Sequence, residues 1–349
     1  MGEFAGWDMP LSYADGARAE HVAVRESVGI FDVSHMGEFD VHGAASRDFL
    51  QGVLANDLDE IGPGQGQYTL LCQEDGGVID DLIVYCLADD RFRLVVNASN
   101  TEACRVHLAA QAVAGAELTD VSDGVAMLAL QGSGWKDALA QIAEPQLGDL
   151  AWFGIAEAEL CGHASLVART GYTGEPGIEL MCPWDGAVDI WEALAAPAGP
   201  AVPAGLVARD TLRLEMGYPL HGNELSTARS PIEAGLKWAV DLEGPGFIGS
   251  EAIRRQASEG TAQQLCAFCF DEPGIPRSGH TVLRNGEPIG TVTSGTMSPT
   301  RGIGIGMAYV DAEFAAPGTA ITVDVRGKAK SATTARRPLV DTSPTKDDS

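Results

Sequence analysis

Positive charge is scarce in this chain. Of 349 residues, 23 are Lys or Arg against 49 Asp and Glu, which gives a formal net charge of −26. Lysine is rarer still: Lys136, Lys237, Lys328, Lys330 and Lys346 are the whole set, and the remaining cations are arginines. A surface this acidic repels phosphate backbones and anionic headgroups, which argues against nucleic-acid binding and against attachment to a negatively charged membrane. Excess carboxylate with little lysine fits a solvated acidic coat in a high-salt cytoplasm; it fits an ordinary acidic bacterial enzyme equally well.

Long apolar runs are also missing. No stretch approaches the roughly 18 residues that a membrane span needs. The opening MGEFAGWDMPLSY has neither the basic nor the hydrophobic region of a signal peptide, so the expected compartment is the cytoplasm. The seven cysteines are odd in number and scattered through apolar segments, the pattern of reduced core thiols rather than of a disulfide framework. Cys266 and Cys269 have CxxC spacing, but no second Cys or His pair stands at zinc distance, so packing is the expected role and no metal is expected. GPGQGQ and GIGIGM do not fit GxGxxG, and there is no P-loop, GxSxG elbow or HExxH motif.

What is present is enough apolar material for two or three domains: 45% of the residues are hydrophobic. Helical spacing of Ala17, Val22, Val24 and Val28, stopped by Gly29, predicts a helix within Ala14–Val28. The alternation in Phe31–Gly43 predicts one strand, and Ala44–Leu54 a helix. Between Gln67 and Asn97, three strand-like runs are separated by EDGG and ADDR, and a helix is expected over Asn100–Val113. This β-β-β-α order suggests a ferredoxin-like α+β domain. MLALQG and SLVART read as strands, GYTGEPGIEL as a hairpin around Thr173–Gly177, and Ala187–Ala195 and Val207–Met216 as helices. From Gln264 onward, six short strands punctuated by Gly and Pro imply a small barrel or sandwich.

Three places carry candidate chemistry. In Val78–Tyr85, strand alternation puts Asp80 and Asp81 on opposite, otherwise apolar faces, so at least one carboxylate is expected in a half-buried setting. Such a group is paired, protonated or aimed at a ligand; a turn-capping Asp beside Gly76-Gly77 is the plain alternative. Glu179 follows the glycine-rich turn and faces away from Ile178 and Leu180, either toward a ligand or simply into solvent. Arg209 stands near a helix start, where the dipole opposes it, so it needs a partner: a substrate carboxylate, or an internal pair with Asp210 or Glu215.

Taken together, FAGWDMPLSY, FDVSHMGE, QYTLLCQEDGGVIDDLIVY, LVVNAS, ARTGYTGEPGIEL, GLVARDTLRLEMGYPLHGNEL, PIEAGLKWAV and TSGTMSPT closely resemble the T-protein (aminomethyltransferase) family of the glycine cleavage system, in family order over nearly the whole chain. The resemblance implies an α+β fold, a three-domain cloverleaf around a central folate channel. Domain 1 would take 1–41 plus 123–238, the ferredoxin-like domain 2 would take 42–122 plus 239–262, and a C-terminal β-barrel or jelly-roll domain 263–340, with 341–349 a disordered tail. It also implies a reaction: the methylene of the aminomethyl group on the dihydrolipoyl arm of H-protein passes to tetrahydrofolate, giving 5,10-methylenetetrahydrofolate and ammonia.

By the same resemblance the catalytic carboxylate is Asp81. Glu179 would accept from the donor edge of the pterin, Arg209 would bind pterin oxygen or the folate carboxylate, and Tyr172 and Asn97 would line the folate site with Tyr68 and Met36 as apolar walls. Tetrahydrofolate is implied as co-substrate, lipoylated H-protein as partner, and a monomer as the plainest state. Two departures stand out. The family has about twenty residues ahead of FAGW where this chain has three, and RPLVDTSPTKDDS lacks a Tyr that many relatives direct at folate. Two alternatives share the scaffold: another tetrahydrofolate-dependent demethylase or methylene transferase, and a non-catalytic folate-binding assembly factor. The second carries KGCYxGQE, a motif absent here.

Overall fold

The computed structural model describes residues 1–196 and 199–342; residues 343–349, most of the expected disordered tail, lie outside them. The described chain divides into two compact units. The first comprises Met1–Leu71 and Ile79–Arg209, the second Cys72–Val78 and Asp210–Thr342.

The first unit contains two large sheets. The five-stranded one runs, in spatial order, Gln65–Cys72, Val78–Ala88, Arg91–Val96, Gly37–His42 and Glu117–Asp120. With helices Ser46–Val53 and Thr101–Ala110 interspersed, its chain order is βαβββαβ, one strand more than a ferredoxin-like sheet. The six-stranded sheet is ordered Ile155–Leu160, His163–Ala168, Gly177–Pro183, Val125–Gln131, Gly29–Asp32 and Val202–Pro203. One of its faces is sealed by Ile178, Leu180, Cys182, Leu128 and Leu130 packed with Trp135 and Ile190, which leaves the alternate residues of the same strands for a site.

The single strand expected over Phe31–Gly43 is instead two, Gly29–Asp32 and Gly37–His42, in different sheets. Asp32 is the cause: its Oδ1 accepts the Ser34 backbone N–H at 3.0 Å, and Met36 N–H closes a turn onto Val33 O at 3.1 Å. An Asx turn of this kind competes with strand pairing and redirects the chain.

In the second unit, the six C-terminal strands close into a barrel. Phe268, Phe270, Val282, Val292, Val310 and Val323 form one cluster, and Leu265, Ala267, Cys269, Ile305 and Met307 another that includes Leu214 and Leu339. Cys266 belongs to the first and Cys269 to the second, because residues three apart on a strand face opposite ways. The CxxC spacing therefore cannot converge on one ion. The Cys72–Val78 segment of this unit contains a tight turn. Gly76 has φ +88°, and a Cβ on Gly77 would meet the Thr227 carbonyl oxygen at 2.0 Å, so only glycine fits. Val78 N–H is shared by the Ser226 and Arg229 carbonyls, each at 3.0 Å.

Candidate active site

The Val78–Ala88 strand carries Asp80 into complete burial and leaves Asp81 half-buried. Asp80 shares a face with Val78, Leu82 and Val84, as alternation predicts. The two carboxylates are nevertheless not held apart. Asn97 Nδ2 donates to Asp80 Oδ1 at 2.8 Å and to Asp81 Oδ1 at 3.0 Å. This is possible because the ladder with Arg91–Val96 begins only at Ile83, so the strand is free of that pairing where the two acids lie. Asn97 follows directly on that partner strand and also gives its backbone N–H to Asp80 Oδ2 at 2.9 Å. Asn100 Nδ2 adds a 2.6 Å bond to Asp80 Oδ1. Burial, then the Asp81 charge, pushes the Asp80 carboxyl up from 3.8 to about 7 against these donors.

Asp81 Oδ2 accepts the Tyr68 hydroxyl at 3.0 Å. Tyr68, from the neighbouring strand, has its phenol held well above its ordinary pKa by burial and then by the Asp81 charge. Tyr172 also acts on that phenol electrostatically, and the Arg209 guanidinium lies 5.1 Å from the centroid of the Tyr172 ring, a cation–π distance. Burial depresses the Arg209 pKa, opposed first by Glu179 and then by Tyr172. Asp81, Tyr68, Tyr172, Arg209 and Glu179 thus form one electrostatically connected group within the first unit.

Each member is placed by a local device. Glu179 sits on an inner strand, paired with Ala168 on one side and Ala129 on the other, and is 7% exposed, so the solvated reading is ruled out. The Tyr172 loop is clamped by Gln131, whose Nε2 donates to the Thr170 and Ile178 carbonyls at 3.1 and 3.2 Å and whose Oε1 accepts the Thr173 hydroxyl at 2.9 Å. Arg25 secures the far side of the loop through Thr173 O at 2.7 Å and Glu175 at 2.9 Å. The Leu206–Met216 helix begins where Leu206 and Val207 N–H groups meet the Pro10 and Leu11 carbonyls, and the buried Glu20 accepts Gly205 N–H at 2.9 Å. Free helix-start donors are satisfied in this way. The internal ion pair considered for Arg209 belongs to Arg213 instead, which reaches Asp210 at 2.8 Å and Glu224 at 2.9 Å. Arg209 Nη1 is buried with no hydrogen-bond partner.

His35 and Met36 lie in the turn made by Asp32. His35 is 5% exposed, packs edge-on against the Phe4 ring at 5.4 Å, and its Nδ1 has no hydrogen-bond partner. Burial, helped by the Arg209 charge, lowers its pKa to about 4, so the ring is neutral at neutral pH. Met36 is half-buried beside it.

Sequence reasoning did not single out Thr170, Tyr85 or Asn100. Thr170 Oγ1 lies 2.6 Å from Glu179 Oε2 and 2.9 Å from the Tyr85 hydroxyl. Nothing periodic marks these residues; only a polar side chain within a buried run could have flagged them. Among the described residues no cluster of His, Cys, Asp and Glu could hold a metal ion, and no helix is long and apolar enough to cross a membrane.

The chain thus combines an α+β architecture, a closed C-terminal barrel and a largely buried, carboxylate-centred group of the kind that makes an enzyme site. Residues 1–244 match the family model described as GCVT N-terminal domain, and residues 263–341 match the glycine cleavage T-protein C-terminal barrel domain. The aminomethyltransferase of Parafrankia sp. (strain EAN1pec) is 47% identical over 345 residues, covering 98% of this chain and 94% of that protein. The aminomethyltransferase of Geobacillus kaustophilus is 47% identical over 330 residues, covering 93% and 90%. The crystal structure of glycine cleavage system aminomethyltransferase T from Bartonella henselae superposes with a TM-score of 0.90 at 33% identity, covering 97% of this chain and 93% of that one. The chain belongs to the glycine cleavage T-protein family and is an aminomethyltransferase.

Proposed function

We propose that the first unit binds tetrahydrofolate and receives the aminomethylated dihydrolipoyl arm of H-protein, with Asp81 as the catalytic carboxylate. The observation that carries this reading is the setting of Asp81: a half-buried carboxylate with one oxygen on the Tyr68 hydroxyl and the other on the Asn97 amide, joined through Tyr172 and Arg209 to Glu179.

The residues present fit a reduced pteridine. Its N3–H and 2-amino edge is a pair of donors, and Glu179 is an acceptor-only group when ionised. Arg209 Nη1 is a buried donor without an acceptor, an arrangement that costs free energy unless a ligand oxygen completes it. Tyr172, Tyr68 and Met36 supply apolar wall. Bound there, the folate would contribute the nitrogen nucleophiles that accept the methylene as ammonia and the lipoyl thiol depart.

The protein's own part is electrostatic and positional. Cationic character develops at the transferred carbon as ammonia is lost, and a fixed negative charge lowers that barrier. Two donors on Asp81 hold the carboxylate in one orientation and favour its ionised form. Burial of the neighbouring groups keeps water from screening the charge. We place the activity in the cytoplasm and in a monomer. We also propose a three-part division close to 1–41 plus 123–238, 42–122 plus 239–262, and 263–340. The deciding experiment is a coupled assay: aminomethylated H-protein, tetrahydrofolate and a methylenetetrahydrofolate-consuming dehydrogenase. Formation of methylenetetrahydrofolate that requires both substrates is the expected result; its absence sinks the reading.

A further inference from the structure

Asp80 is a carboxylate beside the site whose chemistry the proposed reaction does not use. It is completely buried, at the centre of a ring of donors. Oδ1 takes Asn97 Nδ2 at 2.8 Å and Asn100 Nδ2 at 2.6 Å; Oδ2 takes Asn97 N–H at 2.9 Å and the Cys104 thiol at 3.6 Å. The three nitrogens cannot accept, so a proton placed on Asp80 would meet donors on both oxygens. The Asn97 amide held in this way is the same amide that reaches Asp81 Oδ1 at 3.0 Å and the Asp81 carbonyl at 2.9 Å.

We propose that Asp80 is a positioning residue for the reaction: its ionised carboxylate, braced by Asn100, locks the Asn97 amide in the one orientation that donates to Asp81. An amide presents two donors on one side and an acceptor on the other. Flipped, Asn97 would turn its oxygen toward two carboxylates, so the lock sets both the geometry of Asp81 and its preference for the charged form. The inference rests on Asp81 being the reacting carboxylate.

The groups facing Asp80 are Asp81 on its own strand, Cys104 on the Thr101–Ala110 helix and Tyr68 on the adjacent strand. Burial and the Asp80 charge keep the Cys104 thiol protonated, and the Tyr68 phenol is likewise held protonated by burial and by Asp81. Asp80, pushed up to about 7 by burial and then by the Asp81 charge, is therefore the group of this cluster that takes up a proton as the pH falls. A proton on Asp80 breaks a donor contact there and releases Asn97. Turnover should fall on the acid side with a midpoint near pH 7.

The test is the pH profile of kcat for wild type, Asp80→Asn, Asn100→Ala and Asp81→Asn, with tetrahydrofolate Kd measured separately by fluorescence. Asp80→Asn removes the charge beside Asp81, so its acid limb should move down by about one pH unit or more. Its plateau should drop by about 10–10²-fold, the cost of a misplaced group. Asn100→Ala removes a donor that favours the ionised acid, so its limb should move up. Equal losses of activity with the limb fixed at its wild-type pH would show a structural role only and overturn the proposal. Should Asp80→Asn fail to fold, the direction of the Asn100→Ala shift decides alone. Full turnover by Asp81→Asn would instead overturn the reading of Asp81, whatever the limb does.

Discussion

Thr170 donates its hydroxyl hydrogen to Glu179 Oε2 over 2.6 Å, and this decides the direction of the next bond. With that hydrogen committed to the carboxylate, Tyr85 must be the donor in its 2.9 Å contact with Thr170. The phenol of Tyr85, pushed well above its ordinary pKa by burial and by the Glu179 charge, is protonated throughout the useful range. A one-way chain, Tyr85 to Thr170 to Glu179, therefore feeds donors to a carboxylate on an inner strand.

From this chain, Thr170→Val should weaken tetrahydrofolate binding by about 10-fold or more, because a hydrogen bond to a charged group is worth about 1.5–3 kcal/mol. Tyr85→Phe, one link further away, should cost less. Glu179→Ala should cost most. Equilibrium titration checks the order, and an unaltered Kd in Glu179→Ala would remove that residue from the folate site.

Asp81→Asn keeps the size of the side chain and removes its charge. Turnover in the coupled assay should fall by about 10²–10⁴-fold, the range for a positioned acid–base or charged group. Tetrahydrofolate Kd should stay within about threefold of wild type, separating chemistry from binding.

Glu38 presents a different situation. It is completely buried on the strand Gly37–His42, and neither carboxyl oxygen has a hydrogen-bond partner. Burial raises its pKa from 4.5 to about 8, with Arg93 opposing and Asp120 assisting. The native state therefore keeps a proton that the unfolded chain releases above pH 4.5. Any stability linked to this proton is complete below that pH and declines as pH rises to about 8, where it levels off. Glu38→Gln should raise the melting temperature at pH 8 and change it little at pH 4.5. A gain that is the same at both values would contradict the linkage.

Gly77→Ala should be severely destabilising, since its Cβ would lie 2.0 Å from the Thr227 carbonyl oxygen and neither backbone can yield cheaply. A melting point within a degree or two of wild type would mean that the turn leading to Asp80 and Asp81 is not held as described.

The charge imbalance makes a prediction about solvent. With 49 acidic residues against 23 basic ones, self-repulsion opposes the folded state. Salt shortens the Debye length from about 10 Å at 0.1 M to about 3 Å at 1 M. The melting temperature should climb with KCl over that range; a flat curve would show that the negative charges are already balanced locally.

Much of the fold was legible along the chain. The six C-terminal strands, the Gln67–Asn97 strand triplet and the Leu206–Met216 helix follow from short-range periodicity and from Gly and Pro punctuation. The break in Phe31–Gly43 was missed because its cause is one side chain, Asp32, bonding two residues ahead. A pattern of apolar and polar letters cannot register such a bond.

The sequence by itself determined the family and most of the order of elements, and it singled out Asp81, Glu179, Arg209 and Tyr172 as candidates, because long motifs and local periodicity are properties of neighbouring residues. Only the tertiary structure decided that Asn97 spans Asp80 and Asp81, that Arg213 rather than Arg209 takes the ion pair with Asp210, and that Thr170 and Tyr85 stand behind Glu179. Those facts depend on distances of about 3 Å between residues up to 85 positions apart, as Tyr85 and Thr170 are. Such closeness is set by how sheets stack and strands register, which no stretch of adjacent letters encodes.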